Sequence, residues 1–176
     1  MIPAGGRKTL VLGGVRSGKS RLAGDLARAA GIPVAYVATA QGRDEEMRRR
    51  IASHRAQRPA GWRVIEEPVA LSSAIRSAGV ECCVVVDCLT LWLTNVLLSN
   101  ADTLDRERRA LLETVASWGG TLILIGNETN SGVIPRGRLS RRFCDEAGIL
   151  HQELARRCDR VVLCVAGLPL PLKVGT

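Results

Sequence analysis

Aromatic residues are scarce, with three Trp, one Tyr and one Phe among 176 residues. So few rings cannot build the stacking stripe on which single-stranded nucleic acid is held. No apolar run reaches 18 residues. The longest late one, Val161 to Leu172, is broken by Gly167, Pro169 and Pro171, which argues against stable membrane insertion. Arg7 and Lys8 lead straight into an apolar run rather than a signal-peptide pattern, so residues 1–8 are expected to fray and the expected compartment is the cytoplasm. The six cysteines show no C-x-x-C spacing, which disfavours a zinc site. Four of them lie in or beside apolar runs and read as reduced, buried small hydrophobes. Histidine occurs twice and lysine three times, against 22 arginines. The net charge of +8 raises nucleic acid as a partner, but the arginines are scattered and no nucleic-acid fold motif accompanies them. Nucleic acid is therefore not the expected main partner.

One of the three lysines stands where it carries chemistry. Thr9-Leu10-Val11-Leu12 reads as a buried strand, and Gly13-Gly14-Val15-Arg16-Ser17-Gly18-Lys19-Ser20 after it matches G-x-x-x-x-G-K-[ST]. Leu22, Ala23, Leu26, Ala27 and Ala30 then recur at helical spacing. This strand–loop–helix context is what a phosphate-binding loop needs. Glycines let the backbone curl until successive N–H groups converge on an anion, and the following helix aims its positive end there. Lys19 would reach the terminal phosphates of ATP or GTP, and the Ser20 hydroxyl would ligate Mg²⁺.

The remaining pattern alternates. Val34–Ala38 reads as a buried strand, Asp44–Arg55 as a helix with acids first and arginines last, and Trp62–Glu66 as a short extended piece. Val69–Ala78 and Leu89–Leu98 read as helices flanking the strand Cys82–Asp87. An apolar strand ending in an acid is the Walker B pattern, which makes Asp87 the second candidate Mg²⁺ ligand; the plainer alternative is a strand-end cap. Asp105–Trp118 and Arg138–Arg157 read as helices, Thr121–Ile125 as a core strand and Val161–Val165 as the last central strand. One α/β domain spanning residues 1–176 is expected, a RecA-like P-loop NTPase with a mostly parallel sheet and helices on both faces. The polar loop Asn127 to Gly132 follows a buried strand, where such sheets put ligand contacts. From the residues alone, a P-loop small-molecule kinase and a RecA-like ATPase acting on nucleic acid both remain open.

Several further stretches occur in a recognisable order: VAT at 37–39, RIASHRAQRP at 50–59, WRVIEEP at 62–68, DCLTLWLTN at 87–95, NETNSGVIP at 127–135, RLSRRFCDEAG at 138–148 and AGLPLPLK at 166–173. With the phosphate loop they resemble the bifunctional adenosylcobinamide kinase / adenosylcobinamide-phosphate guanylyltransferase family of cobalamin biosynthesis, over essentially all of residues 9–173. The resemblance implies two reactions. The adenosylcobinamide hydroxyl takes a phosphoryl group from ATP or GTP, and adenosylcobinamide-phosphate then displaces GMP from a guanylylated histidine. It aligns His54 with that histidine; the plainer reading of the residue is a helix-face histidine beside Met47 and Ile51. An imidazole with a reference pKa of about 6.5 is roughly three-quarters neutral at pH 7, as a nucleophile must be. The resemblance further implies nucleotide contacts at Ala38, Thr39, Ala40, Arg55, Ala56, Gln57, Arg58, Glu66 and Asp87. Glu66 also reads as an ordinary solvated acid. Arg55 and Arg58 would neutralise the departing pyrophosphate. No guanine-reading N-K-x-D sequence is present, so ATP and GTP both stay open for the kinase step. His151 reads as structural or peripheral. A homo-oligomer such as a trimer is implied.

Overall fold

The computed structural model describes residues 7–42, 44–56, 59–99, 101–129, 131–132 and 134–175, with the side chains of Arg50, His54 and Ala101 outside that description. In chain order the elements are β1 (Lys8–Gly13), α1 (Lys19–Ala29), β2 (Val34–Ala38), α2 (Glu45–Ala56), β3 (Arg63–Glu66), α3 (Leu71–Ala78) and β4 (Cys83–Asp87). They continue with α4 (Leu89–Leu97), α5 (Ala101–Ser117), β5 (Thr121–Asn127), α6 (Arg138–Arg157), β6 (Arg160–Val165) and β7 (Leu168–Lys173). All seven strands join one sheet in the order β3-β2-β4-β5-β1-β6-β7. Every pairing is parallel except β6 with β7.

Continuous apolar runs form the central strands because both faces of the sheet are covered. On one face, Ala23 and Ala27 of α1 pack against Val11, Tyr36, Val85 and Ile123. On the other, Leu71 and Ile75 of α3, Trp92 of α4, Leu111 of α5 and Leu154 of α6 pack against Leu10, Val37, Val86 and Leu124. Alternation along each strand therefore assigns its side chains to two separate cores. Trp92 is fully buried, and its indole N–H donates to the Val69 carbonyl at 2.8 Å, so the largest core side chain is also satisfied. All six cysteines are free thiols; Cys83, Cys88 and Cys164 are buried as their apolar runs indicate, Cys82 is only partly buried, and Cys158 is buried between Arg157 and Asp159.

Most boundaries lie within a residue or two of the sequence expectation, Arg7 and Lys8 are bound rather than frayed, and three departures matter more. Helix α5 begins at Ala101 rather than Asp105. Strand β5 runs on to Asn127, because its pairing with β1 continues as far as Gly13↔Asn127. The largest difference is β7, since Pro169 and Pro171 argue against a strand. Proline supplies no N–H to a ladder and is tolerated only at a sheet edge, which is where β7 lies. Lys173 at its end donates to the carbonyls of Ala155, Arg156 and Cys158, closing the carboxyl end of α6.

Helix α2 is built differently from the rest. Asp44 caps it, its Oδ1 accepting the Met47 N–H at 2.7 Å, as the acids at the start suggest. Among its described side chains none is buried, and Met47 and Ile51 are only partly covered. Arg48 and Arg49 pair with Glu45 on its exposed face, and such helical pairs contribute only about 0.2–0.5 kcal/mol each. Among the described residues no helix is long and apolar enough to cross a membrane.

Candidate active site

Strand registers gather the sequence-predicted residues at one end of the sheet. Ala38 lies opposite both Glu66 and Asp87, Asp87 opposite Ile125, and Gly13 opposite Asn127. These are the carboxyl ends of β1 to β5, where open α/β sheets bind their ligands.

The loop from Gly13 to Ser20 curls tightly. The Ser17 N–H donates to the Gly14 carbonyl at 3.2 Å, and Arg16 and Gly18 take positive φ of 56° and 96°. A Cβ on Gly13 would stand 2.4 Å from Ser17 Oγ and 2.7 Å from the Cys164 carbonyl, so only glycine fits at the start of the curl. Helix α1 starts from Gly18 without any side-chain cap, which leaves first-turn N–H groups for an external acceptor. Ser17 Oγ is buried with no hydrogen-bond partner. Lys19 folds back so that its ammonium donates to the Gly14 carbonyl at 3.0 Å. Uncapped N–H groups, an orphaned hydroxyl and a poised cation fit a polyphosphate chain. The Ser20 hydroxyl and Asp87 carboxylate are hard oxygen donors of the kind Mg²⁺ takes.

Asp87 is held in place from β2. The Tyr36 hydroxyl donates to Asp87 Oδ2 at 2.5 Å, and Tyr36 is itself backed by the Trp62 ring at a centroid distance of 6.0 Å. Ala38 is buried and Ala40 partly exposed, while Thr39 is wholly buried between them. Thr39 straps β2 to β4. Its Oγ1 accepts the Cys88 N–H at 2.9 Å and donates to the Cys88 carbonyl at 2.8 Å, and Asn95 donates to the Thr39 carbonyl at 2.8 Å. The side chain of Thr39 is thus committed to holding the strand ends together. Asn127 donates to Thr90 Oγ1 at 3.0 Å, and the Glu128 N–H donates to the Gly13 carbonyl at 3.0 Å.

Arg55 on α2 forms a close ion pair with Glu66 at the end of β3. Both side chains are more than half exposed, so the pair is worth at most about 1 kcal/mol and orients α2 more than it stabilises the protein. Ala56 closes α2 on its exposed side. The backbone of His54 lies within α2, one residue before Arg55, while its side chain, Gln57 and Arg58 lie outside the described residues. Sequence reasoning missed Tyr36, Asn95 and the turn at Ala166-Gly167. A tyrosine two residues before the end of a strand was the available signal for the first.

His151 is 7% exposed, with its Nε2 unpartnered and close to Gly126. Burial holds its pKa below the ordinary 6.5, and the Glu128 carboxylate pushes it partly back up. The fold therefore disfavours its charged form, and the unfolded chain protonates it more readily. Stability from this group is therefore complete above about pH 6.5 and falls as pH drops below that value.

The model of the family described as cobinamide kinase / cobinamide phosphate guanyltransferase matches residues 9–172. The bifunctional adenosylcobalamin biosynthesis protein CobP of Pseudomonas aeruginosa is 59% identical over 168 residues, covering 94% of this chain and 97% of the relative. Its Escherichia coli counterpart CobU is 33% identical over 93% of this chain and 98% of its own. Among solved structures, the RadB recombinase matches with a TM-score of 0.50 and 22% identity, over 90% of this chain and 76% of its own. A Pyrococcus horikoshii OT3 protein matches at 0.53 and 12%, over 96% and 86%. Likeness at such low identity carries the fold alone, a mostly parallel sheet covered by helices on both faces.

Urea unfolding at pH 7.5 and 5.5 checks the histidine. The expected result is a loss of stability at the lower pH in the wild type and a smaller loss in His151→Asn.

Proposed function

The chain belongs to the cobinamide kinase / cobinamide phosphate guanyltransferase family, and on that premise we propose how its residues divide two reactions over one nucleotide site. It is a bifunctional enzyme of adenosylcobalamin biosynthesis, a kinase and guanylyltransferase that uses nucleotides. The carrying observation is the carboxyl edge of the sheet. The uncapped loop before α1, Asp87 and the Arg55–Glu66 pair all lie there, and α2 brings the His54 backbone to the same edge.

In the kinase step the adenosylcobinamide hydroxyl oxygen attacks the γ-phosphorus of ATP or GTP. The bond from that phosphorus to the β–γ bridging oxygen breaks, the nucleoside diphosphate leaves and the hydroxyl proton is lost. The loop N–H groups and Lys19 hold the terminal phosphates and offset their growing charge. Ser20 and Asp87 would hold Mg²⁺, which when bound adds positive charge to the phosphate oxygens. Tyr36 keeps the Asp87 carboxylate turned to one orientation.

In the transfer step a neutral His54 nitrogen attacks the α-phosphorus of GTP, and the bond to pyrophosphate breaks. A phosphate oxygen of adenosylcobinamide-phosphate then attacks that phosphorus and releases the imidazole, giving adenosylcobinamide-GDP. Arg55 and Arg58 would offset charge on the leaving pyrophosphate, Ala40 and Ala56 would line the nucleotide's path, and Glu66 anchors Arg55. A plain kinase would do the first step only.

The protein acts as a homo-oligomer in the cytoplasm. What supports association is β7, whose Leu168, Leu170 and Leu172 are 71%, 53% and 57% exposed on the outer strand. Apolar area of that kind on a sheet edge suits an interface.

Lys19→Ala should slow both reactions by roughly 10²–10³-fold, as loss of a positioned donor to transition-state charge does, measured with each step assayed separately. His54→Ala should abolish the acid-labile protein adduct formed from α-labelled GTP while keeping most kinase activity; an intact adduct would remove His54 as the nucleophile. Leu170→Asp should convert the oligomer to monomer by light scattering.

A further inference from the structure

The turn joining β6 to β7 rests directly on the phosphate-binding loop. The Gly167 N–H donates to the Ser17 carbonyl at 2.9 Å. A Cβ built on Gly18 would stand 3.1 Å from the Gly167 Cα, so the two backbones are in contact. Ala166 and Gly167 both take positive φ, 51° and 82°, which is the signature of a tight two-residue hairpin turn. The other arm of the same hairpin holds the start of the loop. Gly13 pairs with Cys164 of β6, so close that a Cβ on Gly13 would meet the Cys164 carbonyl. One hairpin therefore grips both ends of the curl, Gly13 from β6 and Ser17-Gly18 from the turn.

This grip has a direct electrostatic consequence. In a trans peptide the C=O and N–H point in opposite directions. Tying the Ser17 carbonyl outward to Gly167 turns the Gly18 N–H the other way, towards the concave side where phosphate would lie. A cradle whose N–H groups already converge loses less conformational freedom on binding than one that must be ordered by its ligand.

We propose that the carboxyl-terminal hairpin is a brace that preorganises the phosphate-binding loop, with Gly167 a positioning residue that sets affinity for nucleoside triphosphates. The proposal rests on the nucleotide site described above and adds a remote element to it. Gly167 touches no phosphate itself; it acts through the Ser17 carbonyl. The motif AGLPLPLK, whose leucines and Lys173 already have roles, thereby acquires one at its first two residues as well.

The test compares two glycine substitutions of similar backbone strain, at Gly167, where a Cβ would stand 3.2 Å from the flexible end of Arg21, and at Gly31. Gly167→Ala places a Cβ at a φ of 82°, and Gly31→Ala does the same at 67° in open space beyond the far end of α1. Thermal melts and calorimetric titrations with GTP and with inorganic pyrophosphate, both in Mg²⁺, are run on each variant and on the wild type. The expected result is a similar small fall in Tm for both variants, with about tenfold weaker GTP and pyrophosphate binding in Gly167→Ala alone. Gly167→Asn, whose side chain tolerates positive φ, should recover most of the affinity. Hydrogen exchange on the wild type gives a reading that needs no variant. GTP should slow exchange in residues 165–173 as well as 13–20. The brace is overturned if Gly167→Ala binds within twofold of wild type, if Gly31→Ala weakens binding equally, or if GTP protects 13–20 while leaving 165–173 unchanged. Wild-type protein that bound neither GTP nor pyrophosphate would instead overturn the nucleotide site itself, and the brace with it.

Discussion

The first turn of α1 presents N–H groups that no side chain answers, and much of the molecule serves to keep that turn exposed yet fixed. An uncapped helix start is ordinarily a cost, because donors are left without acceptors. Here the cost is contained by burying what surrounds them. Ala23 and Ala27 seat α1 on the sheet, and Gly13 and Gly18 allow the neighbouring backbone to come close. Parallel strands then deliver their carboxyl ends to the same place. Their register decides that the acid of β4 arrives level with the end of β2.

Local patterns that carry their own physics were legible in the sequence. The glycine spacing before Lys19 dictates a curl, the apolar runs ending at Gly13, Ala38 and Asp87 dictate buried parallel strands, and the acids opening α2 dictate its start. Pairings between distant segments were not legible. The place of Tyr36 near a strand end hints at a role, but nothing there names its partner, a carboxylate 51 residues on. The resemblance makes Thr39 a nucleotide contact, yet its hydroxyl is bound to the backbone of Cys88. β7 was hidden for a different reason. Its prolines oppose strand formation wherever two neighbours are required, and only the topology shows that one neighbour suffices.

The two functional halves of the site rest on unequal foundations. The phosphate loop is anchored to β1 and α1, whose apolar side chains lie in the cores. Helix α2 buries none of its described side chains and is tied to β3 by a solvent-exposed ion pair. Displacing such a helix by a few ångström forfeits little apolar contact, whereas the same shift in α4 would tear Trp92 from its surroundings. A chemistry that must first deliver phosphate to one group and later bring a nucleophile to another phosphorus atom is well matched to this asymmetry. On the division of roles proposed above, the rigid half would define where the nucleotide lies, and the loosely held half would approach and withdraw.

An open sheet also has two rims, and each is finished differently. β3 is only four residues long, and β7 has proline at two of its six positions. Neither rim offers a long row of backbone donors to a stray chain, so growth by strand templating, the route to fibrils, is blocked at both ends. Molecules can still meet through the leucine-bearing outer strand, but only by packing side chains against one another. Such contact closes into a finite complex where two copies present the same patch to one another.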